Sequence, residues 1–245
     1  MESGYYAALT GLLARSQALD SVASNLANAG TAGFRAQRDY FRDVLAGPRV
    51  NDSQLDQTVN NYGVLGGTMI NLAQGAIQAT GNPLDLAIQG QGFFAVQTPH
   101  GVRYTRDGRL MRSPSGLLVT GDAQPVLDIK GRPIVLPAGR PVVGADGTIS
   151  VAGAIAGRIA VFQFSGAQDL QAEGVGLYRP VGQVKPRLGT DFSIRQGALE
   201  GSNQDVIHGT MDLIFVQRQA QMMEKALSIF YNDFNKTATE ELPKV

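Results

Sequence analysis

A chain of 245 residues with 21 basic and 21 acidic side chains is long enough for one or two domains, and its balanced charge excludes the basic footprint typical of nucleic-acid-binding proteins. The absence of cysteine excludes disulfides, thiolate metal sites and cysteine nucleophiles. The apolar runs are too short to cross a bilayer and the N-terminus lacks a signal-peptide pattern, so we expect neither membrane insertion nor a cleaved secretory signal.

The first predicted element is a helix over residues 4–28 whose apolar side chains repeat every seven residues. One heptad position holds Tyr5, Leu12, Leu19 and Leu26, and the second holds Leu9, Ser16 and Ala23. Such a narrow stripe is typical of a coiled coil rather than of a helix lying on a globular core. We therefore expect this helix to be stable only when it packs against a partner.

The stretch SNLANAGTAGF, residues 24–34, predicts an abrupt helix end. Asn28, Gly30 and Gly33 tolerate the left-handed backbone conformation that closes a helix. Asn25 differs, because it lies inside the last turns, where Asn is a poor helix former. A polar amide beside a coiled-coil seam can fix the register or the orientation of the partner, and this is our hypothesis for Asn25.

Residues 35–80 predict an extended connector rather than a globular segment. Its first part, Arg38 to Leu45, has the pattern of a short amphipathic helix with Phe41 and Leu45 on one side. A polar stretch over residues 51–61 follows, and residues 69–72 have the composition of a strand.

Residues 81–202 are rich in glycine, proline and alternating apolar residues, which predicts a mainly-β globular domain, either barrel-like or sandwich-like. The strongest hairpin signals are Asp107-Gly108, Ser115-Gly116 and Asp146-Gly147.

A second heptad helix is predicted over residues 203–235. One of its positions holds Val206, Leu213, Ala220, Leu227 and Phe234, and the other holds Gly209, Val216, Met223 and Phe230. Matching stripes at both ends indicate that the ends pair with each other or with copies of themselves. The predicted fold class is α+β, with a terminal helical coiled-coil domain (1–34 and 203–245), a connector (35–80) and a β-rich domain (81–202).

No constellation for catalysis is visible in the sequence. His100 and His208 have no further ligand candidate at metal-binding spacing. Gly90-Gln91-Gly92 is followed by two phenylalanines rather than by the start of a helix, which argues against a phosphate-binding loop. We therefore expect no enzymatic activity, no cofactor and no metal.

Four stretches, in the same order along the chain, resemble the bacterial flagellar rod and hook proteins. They are Ser24-Asn25-Leu26-Ala27-Asn28 with Thr31, Gly33 and Phe34; NPLDLAIQGQGFF at 82–94; Tyr104-Thr105-Arg106-Asp107-Gly108; and GALEGSNQDVIHGTMDLIFVQRQAQMMEKAL near the end. The resemblance covers essentially the whole chain.

The resemblance implies an architecture and a structural role. Both termini would form an inner coiled-coil domain, a connector would lead to the β domain, and subunits would stack helically into a hollow drive shaft that transmits torque. Asn25 and Asn28 would then orient and end the inner helix. The implied partners are copies of the chain, other rod proteins and the flagellar type III export apparatus, with no nucleic acid and no membrane insertion. The implied location is the basal body, reached without a cleaved signal peptide.

Members of this family carry a Phe-x-x-x-apolar export motif, which Phe41 and Leu45 match. The alternative is an ordinary apolar pair four residues apart on a short helix.

Leu199-Glu200-Gly201-Ser202-Asn203 and the modest length resemble the proximal-rod members, while the distal-rod paralogue stays open. A secreted adhesin or carbohydrate-binding module would need exposed aromatic residues along a groove, and the chain has no Trp and only scattered Tyr. A periplasmic enzyme is disfavoured by the missing catalytic constellation.

Overall fold

The structure, a computed structural model, describes residues 2–42 and 64–240. The described chain is α+β, with a long helix near each end and a mainly-β region between them. It divides into two compact units, which we describe separately. The helical unit falls within Met1–Leu26, Arg38–Thr68 and Val206–Val245, and the β unit falls within Ala27–Gln37 and Met69–Asp205.

The two long helices are α1 (Glu2–Ala27) and α2 (Val206–Glu240). Two small side chains of α1 are buried: Ala14 and Ala18 are each 6% exposed. Gly11 lies so close to α2 that an added Cβ would be 2.8 Å from Cε of Met223. The two helices are therefore in contact where Gly11 of α1 faces the long side chain of Met223 of α2.

One face of α2 is covered within the chain. Its half-buried residues include Leu213, Val216, Ala220, Met223 and Leu227, and Gly209 is buried. These residues follow each other at intervals of three and four, as expected for one face of a helix. We call it the inner face of α2.

Strands β1 (Gln37–Arg42) and β2 (Val64–Ile70) form a two-stranded ribbon. The predicted helix from Arg38 to Leu45 is therefore wrong for residues 38–42. An aromatic side chain stabilises a strand when it packs over a glycine of the neighbouring strand. Tyr40 lies over Gly67 in this way, because a Cβ added at Gly67 would be 3.2 Å from the Tyr40 hydroxyl. Leu45 lies outside the described residues, as does the side chain of Phe41.

The β unit consists of short strands, in keeping with its prolines and turns. They are β3 (Ile77–Ala79), β4 (Leu86–Gly90), β5 (Phe93–Thr98), β6 (Gly101–Thr105), β7 (Leu110–Arg112), β8 (Leu118–Thr120), β9 (Pro141–Val143), β10 (Thr148–Val151), β11 (Ala154–Arg158), β12 (Val161–Gln163), β13 (Leu170–Ala172), β14 (Leu177–Pro180), β15 (Arg187–Leu188), β16 (Phe192–Gln196) and β17 (Ala198–Glu200).

The largest sheet has six strands in the order β13-β14-β6-β5-β12-β15, and each neighbouring pair is antiparallel. Strands β9, β10 and β11 form a second antiparallel sheet, while β3 pairs with β17, β4 with β16 and β7 with β8. Strand β5 separates two apolar clusters, because Phe94 and Val96 face one of them and Phe93 and Ala95 face the other. A mainly-β unit is thus confirmed.

The hairpin predictions succeed at two of three positions. Ser115-Gly116 joins the paired strands β7 and β8, and Asp146-Gly147 joins β9 and β10. Asp107-Gly108 joins β6 to β7, which are not paired, so its hairpin prediction is wrong. The turn between β10 and β11 was not predicted, because Ala152, with φ of 51°, occupies a position that usually holds Asn or Gly.

The end of α1 is closed by a turn rather than by three left-handed residues. The N–H of Thr31 donates to the carbonyl oxygen of Asn28 at 3.1 Å, and the N–H of Phe34 donates to that of Thr31 at 3.3 Å. Of the three residues expected to be left-handed, Gly33 alone has a positive φ, of 68°. The expectation was therefore wrong for Asn28 and Gly30.

Candidate functional site

Three charged side chains from distant parts of the sequence meet inside the β unit. Arg35 lies in the segment that follows α1, Arg106 follows β6, and Glu200 ends β17 shortly before α2 begins. Each of these side chains is at most 3% exposed. We call Arg35, Arg106 and Glu200 the junction triad, because it joins the two chain segments that lead to the helices.

The Glu200 carboxylate is shared between the two guanidinium groups. Arg35 Nη2 lies 2.7 Å from Glu200 Oε1, and Arg106 Nη1 lies 2.9 Å from Oε2. The backbone N–H of Gly75 also donates to Oε1, at 2.9 Å. Both carboxylate oxygens are therefore engaged, which is the condition under which a buried charge is tolerated.

The guanidinium groups also hold backbone carbonyl groups in place. Arg35 donates through Nη1 to the carbonyl oxygen of Ala73. Arg106 donates to the carbonyl oxygen of Ile88 at 2.8 Å and to that of Gly90. The triad thus ties the segment after α1 and the segment before α2 to residues 73–90.

The triad contains two positive charges and one negative charge in a buried environment. Burial lowers the pKa of Arg106 to about 10; the Glu200 carboxylate opposes this shift, and Arg35 adds to it. Burial likewise lowers the pKa of Arg35, again against the attraction of Glu200. The Arg106 guanidinium also lies 5.7 Å from the centre of the Phe93 ring, whose face attracts a cation.

Asn203 ties the same two segments through its side-chain amide. Its Oδ1 accepts from the N–H of Ala36 at 2.7 Å, and its Nδ2 donates to the carbonyl oxygens of Asn71 and Ala73 at 2.8 Å each. The N–H of Asn203 donates to the carbonyl oxygen of Phe34 at 3.3 Å. One asparagine therefore links the segment after α1, the residues beyond β2 and the residues before α2.

Close backbone contacts complete the site. The N–H of Gly33 donates to the carbonyl oxygen of Glu200 at 2.8 Å, and a Cβ added at Gly33 would overlap the backbone of Arg106 and Asp107. A Cβ at Gly75 would likewise overlap the carbonyl oxygen of Gly201. Glycine is needed at both positions because no side chain has room there.

Tyr178 adds a polar contact from the six-stranded sheet. Its hydroxyl accepts a hydrogen bond from the backbone N–H of Arg35 at 2.9 Å, and its ring packs edge-on against Phe93 with centroids 5.5 Å apart. Burial raises the pKa of Tyr178 to about 12. The hydroxyl therefore stays neutral under physiological conditions and can serve as the acceptor.

The structure places the predicted interface residues on the two helices. In α1, Asn25 is buried and Ala23 is exposed. Four leucines of α1 are half-buried, namely Leu9, Leu12, Leu19 and Leu26, and so is Asn28, which follows the end of the helix. In α2, Val206 is exposed, while Leu213, Val216, Ala220, Met223 and Leu227 are half-buried. The side chains of Tyr5 and Phe230 lie outside the described part. Their role in assembly stays a prediction.

The sequence pattern did not predict four residues of this site, namely Arg35, Arg106, Glu200 and Asn203. Charged and amide side chains are usually exposed, so nothing in their local pattern indicated burial. The available signal was their position, because all four lie in or directly beside the stretches that carry the family resemblance.

An open cleft of about 570 Å³ in the β unit includes Gly90, whose carbonyl oxygen accepts a hydrogen bond from Arg106. Five polar side chains line it, together with Gly90 and a single aromatic ring, and they belong to Gln89, Gln91, Gln163, Asp191 and Ser193, the ring being that of Phe192. A single aromatic ring does not make the aromatic groove expected of a carbohydrate-binding module. Within residues 2–42 and 64–240, no three His, Asp or Glu side chains are grouped for metal binding, and neither helix is long and apolar enough to span a membrane.

Two family models match the chain. The family described as "Flagella basal body rod protein" matches residues 6–35, and the family described as "Flagellar hook protein FlgE/F/G D1 domain" matches residues 87–151. The first match covers most of α1 and ends at Arg35. The second begins in β4, ends in β10 and includes Arg106.

Several known proteins are similar to this chain over all or nearly all of its length. The flagellar basal-body rod protein FlgF of Caulobacter vibrioides is 36% identical over 249 residues, covering 100% of each chain. FlgF of Escherichia coli is 35% identical, covering 91% of this chain and 93% of the relative. The flagellar basal-body rod protein FlgG of Bacillus subtilis is 30% identical with the same two coverages.

Proposed function

This chain belongs to the flagellar basal-body rod family as a structural rod subunit most like FlgF, and from this premise we propose that its copies stack helically with other rod proteins into a hollow shaft that transmits torque from motor to hook. The FlgF assignment rests on identities of 36% and 35% to FlgF relatives, against 30% to a FlgG relative. The distal-rod role of FlgG is therefore the weaker alternative.

The observation that carries the torque proposal is the junction triad. A drive-shaft subunit has to pass force between its helices and its β unit, and the covalent links between them are the segments that contain Arg35 and Glu200. Both segments are held in the β unit by a buried, fully engaged carboxylate and by Asn203. Such an attachment resists bending of either segment more than a solvated linker would.

The helices supply the second part of the proposal. We propose that α1 and α2 form the inner coiled-coil domain and that a neighbouring copy covers the faces left exposed. The packing of Gly11 against Met223 supports direct pairing of the two helices. Asn25, which is buried in α1, would fix the register of this pairing.

The role proposed here requires no chemistry at the site. The charged groups of the triad are engaged with one another and with backbone groups, and a structural subunit needs neither a cofactor nor a metal. The location follows from the family, whose members are basal-body rod proteins. We propose in addition that the chain reaches the rod across the periplasm without cleavage of a signal peptide.

We propose that the flagellar type III apparatus exports the chain and recognises Phe41 and Leu45. Phe41 and Leu45 match the Phe-x-x-x-apolar pattern, and residues 37–42 are strand. Replacing Phe41 with Ala should block secretion into the medium, whereas the neighbouring control Arg42→Ala should leave secretion unchanged. Normal secretion of Phe41→Ala would exclude this residue as part of the export signal.

The central experiment is removal of the gene from its host, followed by complementation. Loss of motility and of rods beyond the motor ring, with both restored by the wild-type chain, is the expected result. A density map of purified basal bodies would then show copies of this chain in the rod. Normal rods in the deletion strain would refute the proposed function.

A further inference from the structure

Strand β4 pairs with another strand along one of its two edges. In the part of the chain that the structure describes, its strand partner is β16, and the alternate residues Leu86, Ile88 and Gly90 direct backbone groups to the opposite edge. There the N–H of Leu86 donates to the carbonyl oxygen of Gly108 at 2.9 Å. The carbonyl oxygen of Ile88 and both backbone groups of Gly90 are bound by side chains instead of by a second strand.

The side chain of Gln74 takes the place of a second strand beside β4. Its Nε2 donates to the carbonyl oxygen of Ile88 at 2.9 Å, and its Oε1 accepts from the N–H of Gly90 at 3.2 Å. One amide therefore binds an acceptor and a donor two residues apart, as a residue of a neighbouring parallel strand would. Arg106 also donates to both carbonyl oxygens. Because a guanidinium group has no acceptor, the N–H of Gly90 depends on Gln74.

The amide belongs to a strap, which we define as residues 71–76 and which contains neither helix nor strand. The strap contacts the segment after α1, because the N–H of Asn71 donates to the carbonyl oxygen of Ala36 at 2.7 Å. It also contacts the segment before α2, because the N–H of Gly201 donates to the carbonyl oxygen of Ala76 at 2.8 Å. Both segments that lead to the helices are thus hydrogen-bonded to the strap.

The strap itself is attached to β4 through Gln74. Among the described residues, the hydrogen bonds between the strap and β4 are the two that this side chain makes. Strand β4 is well fixed, because Leu86 and Ile88 are each 1% exposed in the larger apolar cluster of the β unit. The position of the strap over β4 therefore depends on one amide.

We infer that Gln74 is a positioning residue that fixes the strap on β4, and that through the strap it fixes both segments that lead to the helices. The inference rests on the proposed function for its role in the cell, where force on either segment passes into β4 through this amide as well as through Arg106. The same contact closes the free edge of β4, so that no strand of another chain can pair there. The simpler alternative is that Gln74 only satisfies two backbone groups.

Native-state amide exchange of the purified full chain separates these two interpretations. Gln74→Met keeps the length of the side chain and removes both hydrogen bonds, so the N–H of Gly90 should exchange roughly tenfold faster than in the wild type. If Gln74 positions the strap, the N–H groups of Asn71 and Gly75 should also exchange faster by a comparable factor, although Gln74 does not bind them.

The matched control is Gln78→Met. Gln78 is exposed on β3, two residues beyond the strap, and its side chain makes no hydrogen bond within the described residues. This variant should leave the exchange of Asn71 and Gly75 unchanged. The N–H groups of Phe94 and Val96, in the buried strand β5, report whether the β unit stays folded and should be unchanged in both variants.

Faster exchange at Asn71 and Gly75 with an unchanged core supports the inference. Faster exchange at Gly90 alone would overturn it, because the effect would then be local. Equal acceleration throughout the β unit would also overturn it, because the variant would then lower stability in general without a specific effect on the strap.

The consequence in the cell is tested separately. In a strain that lacks the natural copy, Gln74→Met should enter basal bodies in wild-type amounts, but fewer cells should keep their filament during rotation in a viscous medium. Gln78→Met should behave like the wild type, and wild-type retention of filaments by Gln74→Met would overturn the role in carrying force. Because the exchange experiment needs no rod, its result stands even if the wild-type chain does not restore motility, in which case the proposed function fails.

Discussion

Removal of the Glu200 carboxylate by Glu200→Gln is the perturbation that tests the junction triad most directly. The variant keeps the size of the side chain and an oxygen that can accept from Gly75, but it leaves two buried guanidinium groups without a counterion. Breaking a buried ion pair by removal of one partner typically costs about 3–5 kcal/mol. We expect the free energy of unfolding of the β unit to fall by roughly that amount.

Arg35→Met provides the matched comparison. Without Arg35, the Glu200 carboxylate and the Arg106 guanidinium form a one-to-one pair, so no uncompensated charge is left. The remaining cost is the lost hydrogen bond to the carbonyl oxygen of Ala73, which keeps its hydrogen bond from Asn203, so we expect a cost of about 0.5–1.5 kcal/mol. Arg35→Met should therefore be milder than Glu200→Gln.

The measurement is urea unfolding followed by the near-ultraviolet circular dichroism of the tyrosines, since the chain has no Trp. Combining the two substitutions should cost less than the sum of the single effects, because removing Arg35 relieves the repulsion that Glu200→Gln creates. Equal costs for the two single variants, or strict additivity, would refute the charge argument.

Three further predictions concern backbone conformation and ionisation. Gly33→Ala should destabilise the β unit by about 2–4 kcal/mol, because Gly33 has a positive φ and an added Cβ would overlap the backbone of Arg106 and Asp107. The control is Gly30→Ala, since a Cβ added at Gly30 has open space, and its thermal unfolding temperature should stay near that of the wild type. Ala152→Asn and Ala123→Asn should each raise stability by about 0.5–1 kcal/mol in urea titrations, since both alanines have a positive φ that Asn tolerates better; a loss of stability would contradict this. The pKa of Tyr178 is raised in the folded chain, so its contribution to stability is complete below pH 10 and is lost as the pH rises to about 12. Tyr178→Phe should weaken this alkaline loss in unfolding curves measured at several pH values, and an unchanged loss would assign it to other groups.

The elements with a strong local period could be predicted from the sequence. The heptads indicated both terminal helices, and turn dipeptides located the β7–β8 and β9–β10 hairpins. The ribbon strand β1 was missed, since its stability depends on β2 and on the contact between Tyr40 and Gly67 rather than on its own pattern. Apolar pairs four residues apart occur by chance in so short a segment.

The junction triad could not be predicted from local patterns for a different reason. Its members come from three separate regions, and Arg106 and Glu200 are 94 residues apart. Hydrophobic periodicity indicates only which side of a helix or strand faces the core. It does not indicate which polar residues from distant parts of the sequence come into contact in the folded chain. The small residues through which α1 is buried, Gly11, Ala14 and Ala18, were not predicted either, because heptad patterns are recognised by their large apolar residues and these three are small.

The wide separation of the triad residues along the sequence has a consequence for the order of folding. A chain that emerges N-terminus first presents Arg35 and then Arg106 well before Glu200 arrives, and until then the two cations can only repel each other. The carboxylate that pairs with both cations lies at the end of β17, the last strand along the chain, which pairs with β3. Completion of the triad therefore has to wait until nearly the whole β unit has been synthesised, and we expect the segment that contains Arg35 to remain unattached until then.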